Sequence, residues 1–102
     1  VCAREVRPGH LADIAALLGR KVVLWDNYPV NDGARMSRHL HLRAFTGRDP
    51  ACAEQLAGHA INPALQAHLS CMPALTLPMS YALGAEYRYG AAFAEAARAA
   101  AG

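Results

Sequence analysis

Cysteine is scarce in this chain. Three residues, Cys2, Cys52 and Cys71, are spread over 102 positions, and no Cys-x-x-Cys pair occurs. An odd count at wide spacing excludes both a zinc ribbon and a disulfide framework, and leaves buried free thiols as the expected state. Charge is scarce too. Charged residues make up 18% and the net charge is +2, so no strongly one-signed surface exists for a nucleic acid. Arg35, Arg38, Arg43 and Arg48 are scattered without the aromatic interleaving of a single-strand binder. No apolar run approaches the roughly 18 residues of a membrane span. No charged n-region with an apolar h-region marks a signal peptide. The compartment, cytoplasmic or secreted, stays open. Five histidines include one i, i+2 pair, His39 and His41, but no carboxylate or cysteine nearby completes a ligand set. No metal, cofactor, nucleic acid or membrane is therefore expected. Internal repeats are missing, and the Ala-rich C-terminus is the sole biased tract.

The length suffices for one small domain. The hydrophobic fraction, 54%, is inflated by alanine. Val1 to Val6 reads as a strand end or the loop after one. Pro8 suits the first turn of a helix in which Leu11, Ile14, Ala15 and Leu18 share a face, and Gly19 is placed to stop it. Lys21 to Trp25 reads as a strand, reached through a two-residue hand-over typical of α/β units. Residues 31–38 are polar, contain Gly33 and read as a loop; residues 40–44 read as a short extended segment. Asp49 and Pro50 open a short helix to Ala57, which Gly58 ends. His59 to Asn62 is a strand broken by Pro63. From about Ala64 the pattern is helical. Pro73 and Pro78 predict two shorter helices or one kinked near Cys71, with Gly84 as the stop. Tyr87 to Gly90 is a linker. Phe93 to Ala101 has high helix propensity but few large side chains, which predicts fraying or loose packing. The order is a run of βα units, which implies parallel strands.

Residues 21–32 carry the chemistry. After the apolar Val22–Leu24 come Trp25, Asp26, Asn27, Tyr28, Asn31 and Asp32, grouped around Pro29. An aromatic wall with carboxylates and carboxamides at a strand's end suits a polyhydroxylated ligand, and parallel α/β folds place such sites at C-terminal strand ends. The alternative is an ordinary strand exit with a turn-forming Asn-Tyr-Pro.

The run Trp25–Asp32 resembles a motif in the last third of the catalytic barrel of glycoside hydrolase family 84. That family holds β-N-acetylglucosaminidases, including O-GlcNAcases and bacterial enzymes called hyaluronidases. Leu40–Arg48 is similar to its hydrophobic-strand-then-Gly-Arg element, and His59–Pro63 to its Asn-Pro turn. The tract from Leu65 to Leu83 resembles the helix that follows. The likeness covers about Val1 to Leu83. It implies an α/β fold: a partial (β/α)8 TIM barrel, roughly the last two or three βα units, over residues 1–84. Residues 85–102 would be an Ala-rich C-terminal helix. A closed barrel needs eight strands and typically about 250 residues, so the remainder is expected in the same or a companion chain. The lack of Met at position 1 points to a fragment, with further βα units expected before Val1.

The resemblance also implies a glycosidase that removes terminal β-linked N-acetylglucosamine from a glycan or glycoprotein. It implies a retaining mechanism in which the substrate's 2-acetamido group attacks the anomeric carbon, assisted by two adjacent Asp residues, unlike the usual carboxylate-nucleophile scheme. This sequence has no Asp-Asp dipeptide, so no catalytic residue is assigned here. What remains is sugar binding. Trp25 matches an aromatic lining the acetamido pocket, and Asn27 an Asn beside the acetamido group and the catalytic acid. Asp32 matches the carboxylate that bonds the 4- and 6-hydroxyls, and Asn62 an Asn that bonds a ring hydroxyl. Tyr28 is a further candidate that either lines the cleft or packs beneath the loop. Asp26 departs from family members with an aromatic there. It alternates away from Trp25 and reads as structural, paired with an Arg. Arg43 and Arg48 read as loop-holding, and Cys52 and Cys71 as non-nucleophilic. The alternative function is a non-catalytic small α/β carbohydrate-binding or protein-interaction module.

Overall fold

Pro8 opens the first helix, α1 (Pro8–Leu18), as the periodicity predicts. Leu11 is its buried anchor, and Gly19 closes it in the left-handed region (φ 70°), its N–H reaching the Ala15 carbonyl. The computed structural model describes residues 2–102; Val1, the first residue of the expected strand end, lies outside them. Val6 makes an isolated parallel bridge to Arg48, with its N–H 2.8 Å from the Gly47 carbonyl.

β1 spans Val22–Pro29, four residues beyond the expected end at Trp25. The chain stays extended because its alternation holds: Leu24 and Asp26 point inward and are buried, while Val23 and Trp25 point outward. A polar Asp26 on the inward side is tolerated because it is fully partnered, as set out below. β2 runs Leu56–Asn62, parallel to β1, pairing Val22 with Leu56, Trp25 with Ala60 and Pro29 with Asn62. The expected helix to Ala57 is instead a 3-10 turn over Pro50–Glu54, capped by the Asp49 carboxylate, which accepts the Ala51 N–H at 2.9 Å. Gly58 is not a helix stop but a strand residue. Leu56 must reach the core, so the chain is already extended there. Residues 40–44 form no strand, and the loop after β1 contains one short helix, α2 (Gly33–Met36).

A single helix, α3 (Ala67–Leu83), runs through both Pro73 and Pro78, where two were one expectation. Burial outweighs the lost backbone bonds. Pro73, Thr76, Leu77 and Ser80 are all buried, and the Thr76 and Ser80 hydroxyls donate to the Pro73 and Leu77 carbonyls at 2.6 and 2.7 Å. A 3-10 turn, Gly84–Glu86, follows, and then α4 (Tyr89–Ala101). α4 starts inside the expected linker. It also packs rather than frays: Ala92 and Ala96 are buried where it meets α3, and such short side chains let two helices approach closely.

The architecture is thus a small mixed α/β domain with a two-stranded parallel sheet. Val6, Leu11, Leu24, Cys52 and Leu56 form the core on one sheet face, with Ala3, Val22 and Tyr81 against it. The other face is bare: Val23 is 63% and Trp25 55% exposed. Parallel sheets are ordinarily covered on both faces. Among the described residues no helix is long and apolar enough to cross a membrane.

Gly47 sits where the N-terminal segment crosses the loop before Arg48. Its φ is 73°, and a Cβ there would land on the Arg4 carbonyl oxygen. Gly47→Ala should therefore destabilise the fold by about 1–3 kcal/mol or more. Thermal unfolding followed by circular dichroism reads this directly; an unchanged Tm would contradict the crossing.

Candidate functional site

The bare face gathers three of the expected residues at the C-terminal ends of the strands. The register slips between Asp26 and Pro29, which brings Asn62 level with the end of β1. Asn27 Oδ1 then accepts from Trp25 Nε1 at 3.0 Å and from Asn62 Nδ2 at 3.2 Å. An indole N–H can only donate, so the Asn27 oxygen must face it. Its NH2, which makes no hydrogen bond within the described residues, is left as a fixed double donor beside the exposed indole.

Asp32 stands outside that hydrogen-bonded set. It holds the N-cap position of α2, yet its carboxylate makes no cap bond and is exposed. Its neighbour Asn31 fixes where it stands. Asn31 is buried and donates to the His39 carbonyl at 3.1 Å and Gln66 Oε1 at 2.9 Å, while its own oxygen accepts the Leu65 N–H at 3.1 Å. The loop bearing Asp32 is thereby tied to the segment that follows Asn62, at the same end of the sheet. The sequence groups Asn31 with the polar residues around Pro29 but assigns it no role, because nothing in a run of polar loop residues marks the one with partners 35 residues away. Tyr28 packs beneath the loop: its hydroxyl donates to the Arg43 carbonyl at 2.6 Å, and its ring stacks on His41 and meets Phe45 edge-on. It also lines a cleft with Asn27.

Behind the site, on the core face, Asp26 is fully buried. Its oxygens take Arg48 Nη2 and Nε, each at 2.7 Å, and His59 Nε2 at 2.9 Å. His59 Nδ1 lies 2.7 Å from the Tyr81 hydroxyl. The tautomer with a proton on Nε2 satisfies both ring contacts. Arg48 also donates to the Arg4 and Thr46 carbonyls. The expected Asp–Arg pairing is therefore present; His59 and Tyr81 are additions, 33 and 55 residues along the chain. Burial pushes the Asp26 carboxyl up, but hydrogen bonds from His59 and Arg48 and the Arg48 charge outweigh it and hold the pKa below the ordinary carboxylate value. Burial, with the nearby Cys52 and Asp26, pushes the Tyr81 hydroxyl up to about 12, so it stays a donor.

The thiols are only partly as expected. Cys52 is buried, and burial and then Asp49 raise its pKa, which suits an inert thiol; Cys2 and Cys71 are exposed rather than buried. Arg43 lies over the Tyr89 ring at 5.0 Å. No group of three metal-ligating side chains occurs among the described residues.

The family model described as beta-N-acetylglucosaminidase matches residues 1–102, the whole chain. The chain belongs to the β-N-acetylglucosaminidase family. It is similar to a mutant of the Thermobaculum terrenum O-GlcNAc hydrolase at 29% identity and a TM-score of 0.89, covering 97% of this chain and 21% of that one. It is also similar in fold to CpGH84B, at 23% identity and a TM-score of 0.78, covering 94% of this chain and 17% of that one. These findings bear out the resemblance to glycoside hydrolase family 84. No curated protein sequence matches the chain. The chain spans about a fifth of the length of these β-N-acetylglucosaminidase-like structures.

Removing one partner of a buried ion pair typically costs about 3–5 kcal/mol, and Asp26→Ala should fall in that range by urea unfolding at pH 7. The pH dependence follows from the lowered pKa. Asp26's contribution is fully present above its ordinary value of 3.8 and is lost as pH falls through the lower folded value. The gap between the native chain and Asp26→Ala should therefore narrow at the acid end. A gap that widens with acid would overturn the assignment.

Proposed function

We propose that this chain supplies the sugar-binding part of a glycosidase that removes terminal β-linked N-acetylglucosamine from a glycan or glycoprotein by substrate-assisted, retaining catalysis. The observation that carries it is the convergence of the Trp25 and Asn62 N–H donors on the Asn27 amide oxygen, at the C-terminal ends of two parallel strands, on the sheet face left bare. Residues 1–84 are the last two or three βα units of a (β/α)8 barrel, and residues 85–102 a helix appended to them. The bare face is the one the rest of the barrel, in the same or a companion chain, encloses.

Each side chain has a role in this reading. The Trp25 indole offers a flat apolar surface to the acetamido methyl. Asn27, its oxygen held by Trp25 and Asn62, presents N–H groups to the acetamido oxygen. The Asp32 carboxylate, unspent on its own helix cap, accepts from the 4- and 6-hydroxyls. Asn62 turns its oxygen to a ring hydroxyl. The acid/base Asp pair lies outside this sequence.

Two results test the proposal. The 102-residue chain alone should not hydrolyse an aryl N-acetylglucosaminide above background, because general acid/base assistance is worth about 10²–10⁴-fold and its donors are elsewhere. In the complete glycosidase, Asp32→Ala removes hydrogen bonds to a charged group worth about 1.5–3 kcal/mol, so kcat/KM should fall roughly 10- to 150-fold. Turnover by the isolated chain, or an unaffected Asp32→Ala enzyme, would refute the assignment.

A further inference from the structure

Asp32 is exposed, and among the described residues its carboxylate makes no hydrogen bond or ion pair. The two residues before it are held from two sides. The Val30 carbonyl oxygen lies 3.2 Å from His41 Nδ1 and accepts its proton in the tautomer protonated there. Asn31 is 6% exposed. Its NH2 donates to the His39 carbonyl and to Gln66 Oε1, and its oxygen accepts the Leu65 N–H. A carboxamide has two donor hydrogens, and both are used inside the protein. Asn31 therefore has no N–H left for a ligand, whereas Asp32 beside it has both carboxylate oxygens free. Gln66 holds the N-cap position of α3, yet its side chain makes no cap bond and goes to Asn31 instead. The turn after Asn62 is fixed as well, because the Ala64 N–H donates to Ser70 Oγ at 2.9 Å.

We propose that Asn31 is the positioning residue for Asp32, and that its contact with Gln66 sets how strongly the 4- and 6-hydroxyls of the sugar are recognised; the idea rests on the glycosidase reading above. The physical reason is entropic. An exposed carboxylate on a free loop has to be ordered when the sugar arrives, and that cost is subtracted from binding. Asn31 orders the backbone in advance, through partners 8 and 35 residues away. It also ties the Asp32 loop to the turn that follows Asn62, through the Leu65 N–H. The two residues proposed to touch the sugar edge then keep one spacing with or without ligand.

The test measures kcat/KM of the full-length protein for an aryl N-acetylglucosaminide and for its 4-deoxy and 6-deoxy analogues. The native protein should prefer the parent by roughly tenfold or more, the worth of a hydrogen bond to a charged group. Asn31→Ala should bring that ratio to roughly threefold or less, by slowing the parent while leaving the deoxy compounds nearly unchanged. Gln66 is exposed, so its variants keep the fold. Gln66→Leu, which removes the acceptor, should lower the ratio partway. Gln66→Glu, which keeps an acceptor for the Asn31 NH2, should hold it at the native value. A merely structural role would lower kcat/KM for all three substrates alike and leave the ratio in place. Thr76→Val, which loosens the buried side of α3, should behave in that way. A native ratio kept by Asn31→Ala and Gln66→Leu overturns the proposal while the glycosidase reading stands. So does an equal fall in Gln66→Glu or in Thr76→Val. Native protein that turns over parent and deoxy compounds equally removes Asp32 from the hydroxyls and this proposal with it; hydrolysis of none of them refutes the glycosidase reading itself.

Discussion

One buried carboxylate holds the two halves of this structure together. Asp26 sits midway along β1, and both partners come from elsewhere: Arg48 from the loop after β1, and His59 from β2. Arg48 then grips the N-terminal segment through the Arg4 carbonyl, and His59 passes the chain of bonds on to Tyr81 of α3. A charge without partners in this position would cost several kcal/mol. With three charge-assisted bonds, it instead pins the strands, the loop and the helix relative to one another.

The consequence is felt on the opposite side of the same strand. Side chains alternate across a strand, so fixing Asp26 inward turns Trp25 and Asn27 outward. Fixing His59 on β2 likewise sets the register that brings Asn62 to Asn27. The proposed recognition surface is then shaped by the core without being part of it. Its amides are oriented by one another, so their free donors and acceptors are set before a ligand arrives, which limits the ordering cost of binding. The bare sheet face fits the same picture. A parallel two-stranded sheet with Val23 and Trp25 in solvent is half of a buried arrangement, as expected of a chain about a fifth as long as the structures it resembles.

Much of this was legible in the sequence where signals are local. Pro8 and Gly19 bracket α1, and the apolar 22–24 run starts β1. The Trp25–Asp32 motif carries the family, and the alternation of Asp26 away from Trp25 already suggests a structural carboxylate paired with an Arg. What was not legible depends on distance along the chain. β1 outruns its apolar stretch because Asp26 finds Arg48 and His59, 22 and 33 residues on. α3 survives two prolines because its Thr76 and Ser80 face is buried against the rest of the domain, with Thr76 Oγ1 also accepting the Phe45 N–H. α4 packs through Ala92 and Ala96, which local propensity treats as featureless. Asn31 looks like any loop residue until Gln66 and Leu65 are placed beside it.

The most direct measurement is a crystal structure of the full-length protein with a thiazoline-fused N-acetylglucosamine analogue, the form that attack by the acetamido group would give under the proposed mechanism. The account predicts the methyl-bearing ring against the Trp25 indole, with the Asn27 NH2 at its heteroatoms. It further predicts Asp32 accepting from the 4- and 6-hydroxyls and Asn62 at the sugar edge. A ligand bound away from the C-terminal ends of β1 and β2, or bound there with Asp32 and Asn27 making no contact to it, would contradict it.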